Sequence, residues 1–392
     1  MRRAVFYLVL CVLPSLSLAQ APVNASTNGL TESTAEKTLH ALTRSLTWAS
    51  KAKAMLSVVE EPGSRVDALN RLAYVYAASR RDDDAREALD QLAVTQADLD
   101  EEDAEYWAIA GISVRAVLNK EGPKTLKESI LTIDPIEHAY LWSQASYLAI
   151  QRSQADAIVL WLPGIKTSWQ QLEPEGQSPS DLITPLCLAG RYNRALSVLD
   201  KDWPVYEKAI GYTTIALWLT ERGRLEKAKA VYEKAEAWMM KLRAQPIDSG
   251  WDYPPADDNW PSFAELQAAL GMDQQAKRSA LSSSDPMIRS AGFAAIACTY
   301  GMQQKHDQAK EVFARAWAMS FATFNTADRD WQRAWILWHA AYSGAFSDSE
   351  LKGLLKQMVD PSAKLEAVLS ISEGLLDRAS TLSQTGSAHP KP

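Results

Sequence analysis

The feature that most restricts what this chain can fold into is a pair of alanines twelve residues apart, recurring four times: Ala73/Ala85, Ala145/Ala157, Ala216/Ala228 and Ala297/Ala309. A large apolar residue stands four positions before each first alanine (Leu69, Leu141, Tyr212, Phe293), and another three positions after it (Tyr76, Leu148, Leu219, Tyr300). A third stands four positions after each second alanine: Leu89, Trp161, Tyr232 and Phe313. Offsets of three and four put side chains on one face of an α-helix, whereas a strand would alternate them across two faces. Polar stretches divide the halves, among them Arg80-Arg81-Asp82-Asp83-Asp84, Arg222-Gly223-Arg224 and Gln303-Gln304-Lys305-His306-Asp307. Each unit therefore predicts a helix, a tight turn and a second helix, with alanine where the two backbones approach closely.

Prolines mark the same units independently. Glu61-Pro62, Asp134-Pro135, Trp203-Pro204, Asp285-Pro286 and Asp360-Pro361 each open a helical run, at successive gaps of 73, 69, 82 and 75 residues. Proline in the first turn forfeits no hydrogen bond, and an aspartate before it can cap the free amides. Weaker units fit between these marks, with Gly190 five residues before Ala195 and Gly271 five before Ala276, as Gly223 precedes Ala228. Half the mean gap gives about 37 residues per hairpin.

On these residues the chain resembles the tetratricopeptide repeat family. Tyr212–Ala235 and Phe293–Ala316 carry that motif's order of aromatic, small, aromatic-or-leucine, alanine, aromatic and alanine positions. The resemblance spans residues 33–378 and implies an all-α fold, a right-handed alpha-alpha superhelix (solenoid) of about nine or ten degenerate hairpins. It also implies a groove lined by the first helix of each hairpin, which here places Asn70, Tyr74, Trp142, Ser146, Thr213, Leu217 and Thr220 toward a ligand. That face lacks the ladder of lysines and asparagines by which some relatives grip peptide carboxy-termini.

The N-terminus reads as an address. Arg2 and Arg3 precede an apolar run from Ala4 to Leu13, and Pro14 and Ser17-Leu18-Ala19 follow it. This predicts a secretory signal peptide over residues 1–19, too short to span a bilayer core of roughly 30 Å, and no later stretch is long and uncharged enough to do so. Residues 20–32 are expected to form a disordered linker and residues 379–392, rich in Ser, Thr and Pro, a disordered tail. Export to a periplasm or to the exterior places Cys187 and Cys298 in an oxidising compartment. Some three hairpins apart, they are expected to lie beyond the roughly 7 Å a disulfide tolerates and to remain free thiols.

Composition narrows the function. With 48 acidic against 41 basic residues and a net charge of −7, the chain is unsuited to neutralising nucleic-acid phosphates. No zinc-protease motif, serine elbow, phosphate-binding glycine loop or paired-cysteine site appears, so no catalytic residue, metal or cofactor is assigned. The segment Gln245–Pro261 breaks the repeat rhythm. Its Trp251, Tyr253, Asp257, Asp258 and Trp260 are candidates for stacking on a sugar ring and binding its hydroxyls. The acidic run Asp98–Asp103 lacks the ligand order of a calcium loop and is expected to favour a helix N-terminus. Trp331, Trp335 and Trp338, at offsets of four and seven, are expected to pack on one buried helical face. The resulting expectation is an exported scaffold holding a protein or peptide partner in the cell envelope. The alternative is a carbohydrate-binding or polysaccharide-degrading toroid of helical hairpins, with a glycan as ligand.

Overall fold

A computed structural model describes residues 34–100, 107–152, 157–171, 180–245, 256–322 and 326–386, which form eighteen α-helices and no strand. The first six are α1 (Thr34–Met55), α2 (Pro62–Ala78), α3 (Asp82–Gln96), α4 (Ile112–Leu118), α5 (Gly122–Ser129) and α6 (Pro135–Gln151). Then follow α7 (Ala157–Gln171), α8 (Ser180–Leu188), α9 (Tyr192–Leu199), α10 (Val205–Glu221), α11 (Leu225–Arg243) and α12 (Trp260–Ala269). The last are α13 (Asp273–Ala280), α14 (Pro286–Met302), α15 (His306–Met319), α16 (Thr326–Ser343), α17 (Asp348–Leu355) and α18 (Pro361–Gly386).

One turn is used five times. After α2, the N–H of Arg81 bonds to the carbonyl of Tyr76 (2.8 Å) and that of Arg80 to Ala77 (3.0 Å). The same two bonds recur at Gly190/Arg191, Gly223/Arg224, Gly271/Met272 and Gln304/Lys305. They satisfy the last carbonyls of the ending helix and require one left-handed residue, with φ between 59° and 79° in all five turns. The next helix then starts identically: Ala85, Ala195, Ala228, Ala276 and Ala309 each return an N–H to the residue after the left-handed one. All five alanines are fully buried. The repeated alanine of the sequence thus sits one turn into the second helix, where a larger side chain would push the pair apart.

Packing follows in two directions. Consecutive helices pair as α2–α3, α4–α5, α6–α7, α8–α9, α10–α11, α12–α13 and α14–α15. The first members also touch in series, from α2 through α4, α6, α8, α10, α12, α14 and α16 to α18. In a linear array each unit meets only its neighbours. Here α18 also touches α2, and its outer side is covered by α1, the most extensive helix interface among the described residues. Ser45 and Ser372 bind each other reciprocally, each hydroxyl donating to the other's carbonyl at 2.8 and 2.9 Å. Arg44 and Trp48 of α1 both donate to Asp348 at the start of α17, at 2.9 Å. Between α16 and α18, a Cβ on Gly374 would stand 2.5 Å from the carbonyl oxygen of Trp338, so glycine sets that close approach.

The last helix continues to Gly386, past residue 378 where the sequence reading ends the helical domain. Ala379, Ser380 and Thr381 are buried, and the hydroxyls of Thr381 and Tyr342 lie 3.1 Å apart, so this turn is tied to α16. Residues 1–33 and 387–392, which carry the expected signal peptide, linker and end of the tail, lie outside the described residues. Cys187 and Cys298 are buried free thiols, and burial pushes Cys187 up to about 12 and Cys298 well above its ordinary value. No described helix is long and apolar enough to cross a membrane.

Candidate functional site

Three helices far apart in sequence bring one arginine and four carboxylates together. On α2, Asp67, Arg71 and Tyr74 share one face at offsets of four and seven. On α18, Glu366, Ser370, Glu373 and Asp377 do the same, and α6 adds Tyr140, Gln144, Tyr147 and Gln151. Arg71 meets both oxygens of Glu373, its Nε at 2.8 Å and Nη2 at 2.7 Å, and its Nη1 pairs with Glu366. Asp67 stands 3.5 Å from the same guanidinium. One cation therefore serves three carboxylates. Burial raises Asp67 to about 6 in spite of Arg71, and the charges of Glu366 and Glu373 add to the rise.

One turn beyond Glu373, Asp377 is nearly sealed, with 7% of its surface exposed. It accepts hydrogen bonds from Tyr147 Oη (3.1 Å), Gln151 Nε2 (2.7 Å) and Trp338 Nε1 (3.1 Å), which join α6 and α16 to α18. Burial, helped by the Glu373 charge, raises its carboxyl to about 7 against those three donors. Burial and the field of Asp377 raise the phenols of Tyr74 and Tyr147 well above their ordinary value. Asp67, Arg71, Tyr74, Tyr140, Gln144, Glu366 and Glu373 are partly exposed and form the open side of the recess. Surplus negative charge in a partly desolvated site is relieved by a cationic group, and tyrosines offer it both ring faces and hydroxyls.

The residues singled out from the sequence are distributed unevenly around this recess. Tyr74 lies in it, and Asn70, one turn earlier on α2, accepts the Gly111 N–H at 2.9 Å. Trp142 is buried edge-on to Trp161 (5.6 Å) and against Gly164. Thr213 is buried and donates to the Ala209 carbonyl of its own helix; Ser146, Leu217 and Thr220 are buried too. In the irregular segment, Asp257 is buried and accepts from Ser283 Oγ at 2.6 Å, while Trp260 opens α12 packed 6.1 Å from Phe263. Trp251 and Tyr253 lie outside the described residues, as do residues 101–103 of the acidic run that starts at Asp98; Asp258 falls in a short 3-10 turn. Among the described residues no group of acids, histidines or cysteines could hold a metal.

The aromatic set needs a correction. Trp335 and Trp338 bracket His339 at 4.8 and 5.0 Å, and burial lowers that imidazole to about 4. Trp331, however, is 41% exposed. It is the sixth residue of α16, between the buried Asp330 and Gln332, and stands on the side of the helix that these neighbours leave to solvent; Trp335, on the same side, is only partly buried. All five charged residues of the recess escaped the sequence reading: Asp67, Arg71, Glu366, Glu373 and Asp377. Their signal was present on α18, where acids at offsets of seven and eleven interrupt one face of an apolar helix. Nothing local said which other helix they would meet.

No protein-family model matches the chain, and no curated protein matches it.

Proposed function

We propose that this protein is an exported binding scaffold that holds a cationic segment of a protein or peptide partner in the recess between α2, α6 and α18. The observation that carries this reading is the single Arg71 faced by Asp67, Glu366 and Glu373 in a partly exposed site, with Asp377 behind them. A lysine or arginine side chain entering there would gain charge-assisted hydrogen bonds and neutralise charge that the protein itself leaves in excess. The array of helical hairpins supports a superhelix whose first helices face a ligand, and Tyr74 and Asn70 stand on that face. Export and residence in the cell envelope rest on the Arg2-Arg3 start and the apolar run that follows.

A second reading has its own support. The return of the helix series onto α2, and a carboxyl held near neutrality at Asp377, are features of toroidal helical-hairpin proteins that bind or cleave polysaccharides with acid and base carboxylates. Panning a random peptide library and a glycan array against the mature chain separates the two. The scaffold reading expects enrichment of Lys- and Arg-bearing peptides, weakened by salt and about tenfold by Glu373→Gln. Retention of glycans with no peptide enrichment would replace it by the second reading.

A further inference from the structure

On this acidic chain one surface region, at the starts of α9 and α11, carries more cations than acids. The turns before α9 and α11 lie side by side, with Tyr192 of α9 stacked on Trp218 of α10 at 6.0 Å and 29°. Arg222 lies 4.3 Å above the Trp218 ring, and Arg224 lies 5.8 Å from it and 5.4 Å from Tyr192. Lys227 sits 5.1 Å from the Tyr192 ring and donates to its hydroxyl at 2.6 Å. Arg191 and Arg194 flank the pair and are exposed. Arg222 has the buried Glu221 at 4.0 Å, and Glu226 is taken by Lys229 at 3.1 Å. Among the described residues no carboxylate pairs with Arg191, Arg194, Arg224 or Lys227.

The placement contradicts helix electrostatics. A helix N-terminus carries partial positive charge and prefers Ser, Thr, Asp or Asn as its cap. Here α9 and α11 are capped by Arg191 and Arg224, and neither receives a side-chain hydrogen bond. Arg81 and Lys305 cap α3 and α15 in the same way, again with no side-chain hydrogen bond, but at α3 the cations Arg81 and Arg152 are paired with Asp84 and Asp82. Beneath the cations, the Trp218 indole is buried and its Nε1–H has no hydrogen-bond partner. Four exposed cations gathered at two adjoining helix starts, with no carboxylate paired to any of them among the described residues, mark a place that an external anion would complete.

We propose that these two turns form a binding site for a phosphate monoester group, held chiefly by Arg224 and Lys227 with Arg191 and Arg194 beside them. Arg224 beside the aromatic pair, with the exposed Arg191 and Arg194, presents planar N–H groups suited to bidentate contact with an oxyanion. Both helix N-termini add to the attraction. A dianion matches this surplus better than a single carboxylate does. The ring faces are occupied by Arg222, Arg224 and Lys227, so the site selects charge rather than a sugar or a base. This site shares no residue with the recess and stands whether or not the proposed function holds.

The test uses the mature chain with two phosphate probes, inorganic phosphate in calorimetry and vesicles containing phosphatidic acid against phosphatidylcholine alone, with acetate as the single-carboxylate comparison. Both variant positions are exposed, and circular dichroism checks that the fold is kept. Phosphate-dependent binding should fall at least about tenfold in Arg224→Ala/Lys227→Ala and stay unchanged in Lys124→Ala, an exposed cation elsewhere. Binding to phosphatidic acid vesicles alone assigns the group to a lipid headgroup; binding to inorganic phosphate as well assigns it to a soluble ligand. The proposal is overturned if neither probe binds, if the double variant binds as the native chain does, or if acetate binds as tightly as phosphate.

Discussion

Two helix pairs of this protein look alike and are made differently. The α10–α11 pair is closed by Arg222-Gly223-Arg224, and its contact is written locally in Ala216 and Ala228, both fully buried. The α1–α18 pair joins opposite ends of the chain, with the bonds between Ser45 and Ser372 spanning 327 positions. Closing so long a loop costs only modestly more than closing a short one, because the entropy grows with the logarithm of length. The first pair gives its segment local stability. The second makes every hairpin between the two ends part of one cooperative object, as a linear array is not.

The comparison can be broken most forcefully by deleting residues 1–61, which removes α1 from α18, where the buried Leu365, Leu369 and Leu376 share the helical face of Ser372. Thermal unfolding followed by circular dichroism should show loss of the single cooperative transition, whereas trimming a linear array would leave the remainder folding much as before. Next in size is Trp48→Ala. Its indole is buried and donates to Asp348, so denaturant unfolding should report a loss of about 3–5 kcal/mol.

Asp377 sharpens the same contrast through pH. Its folded-state value of about 7 stands above the ordinary 3.8, so the folded protein holds that proton more tightly than the unfolded chain. Its contribution is therefore complete at pH below about 4 and is lost as pH rises toward 7, on the order of 3 kcal/mol over that range. In Asp377→Asn, the decline of stability between those limits should flatten. The smallest effect belongs to the local pair. Gly223 has φ 66° and open space around it, so Gly223→Ala should cost only the left-handed backbone penalty, about 1 kcal/mol.

How much of this could be read from the chain follows the same division. The alanine pairs, the turn glycines and the prolines belong to single hairpins, and the structure places all of them in hairpin turns, helix starts or buried contacts. Gln304 and Arg80 do glycine's work in two of the turns, so a search for glycine alone would miss those units. The meeting of α1 with α18 was not legible, since an amphipathic helix states that it must be covered but not by what. The recess fails for the same reason. Arg71 and its partners Glu366 and Glu373 lie 295 and 302 positions apart, and only the fold of the intervening chain brings them together. Tyr74 was found because it faces outward from a repeat, while Trp142 and Thr213, on the same pattern, turned out to be packed.

The account rests on the two ends of the chain lying against each other. Ser45 and Ser372, whose Oγ atoms are 3.3 Å apart, can be changed together to cysteine. After mild oxidation of the folded double variant, peptide mass mapping should find residues 45 and 372 joined by a disulfide in nearly every molecule, at any dilution. Recovery of both thiols free and separately alkylated from the folded protein would contradict the account.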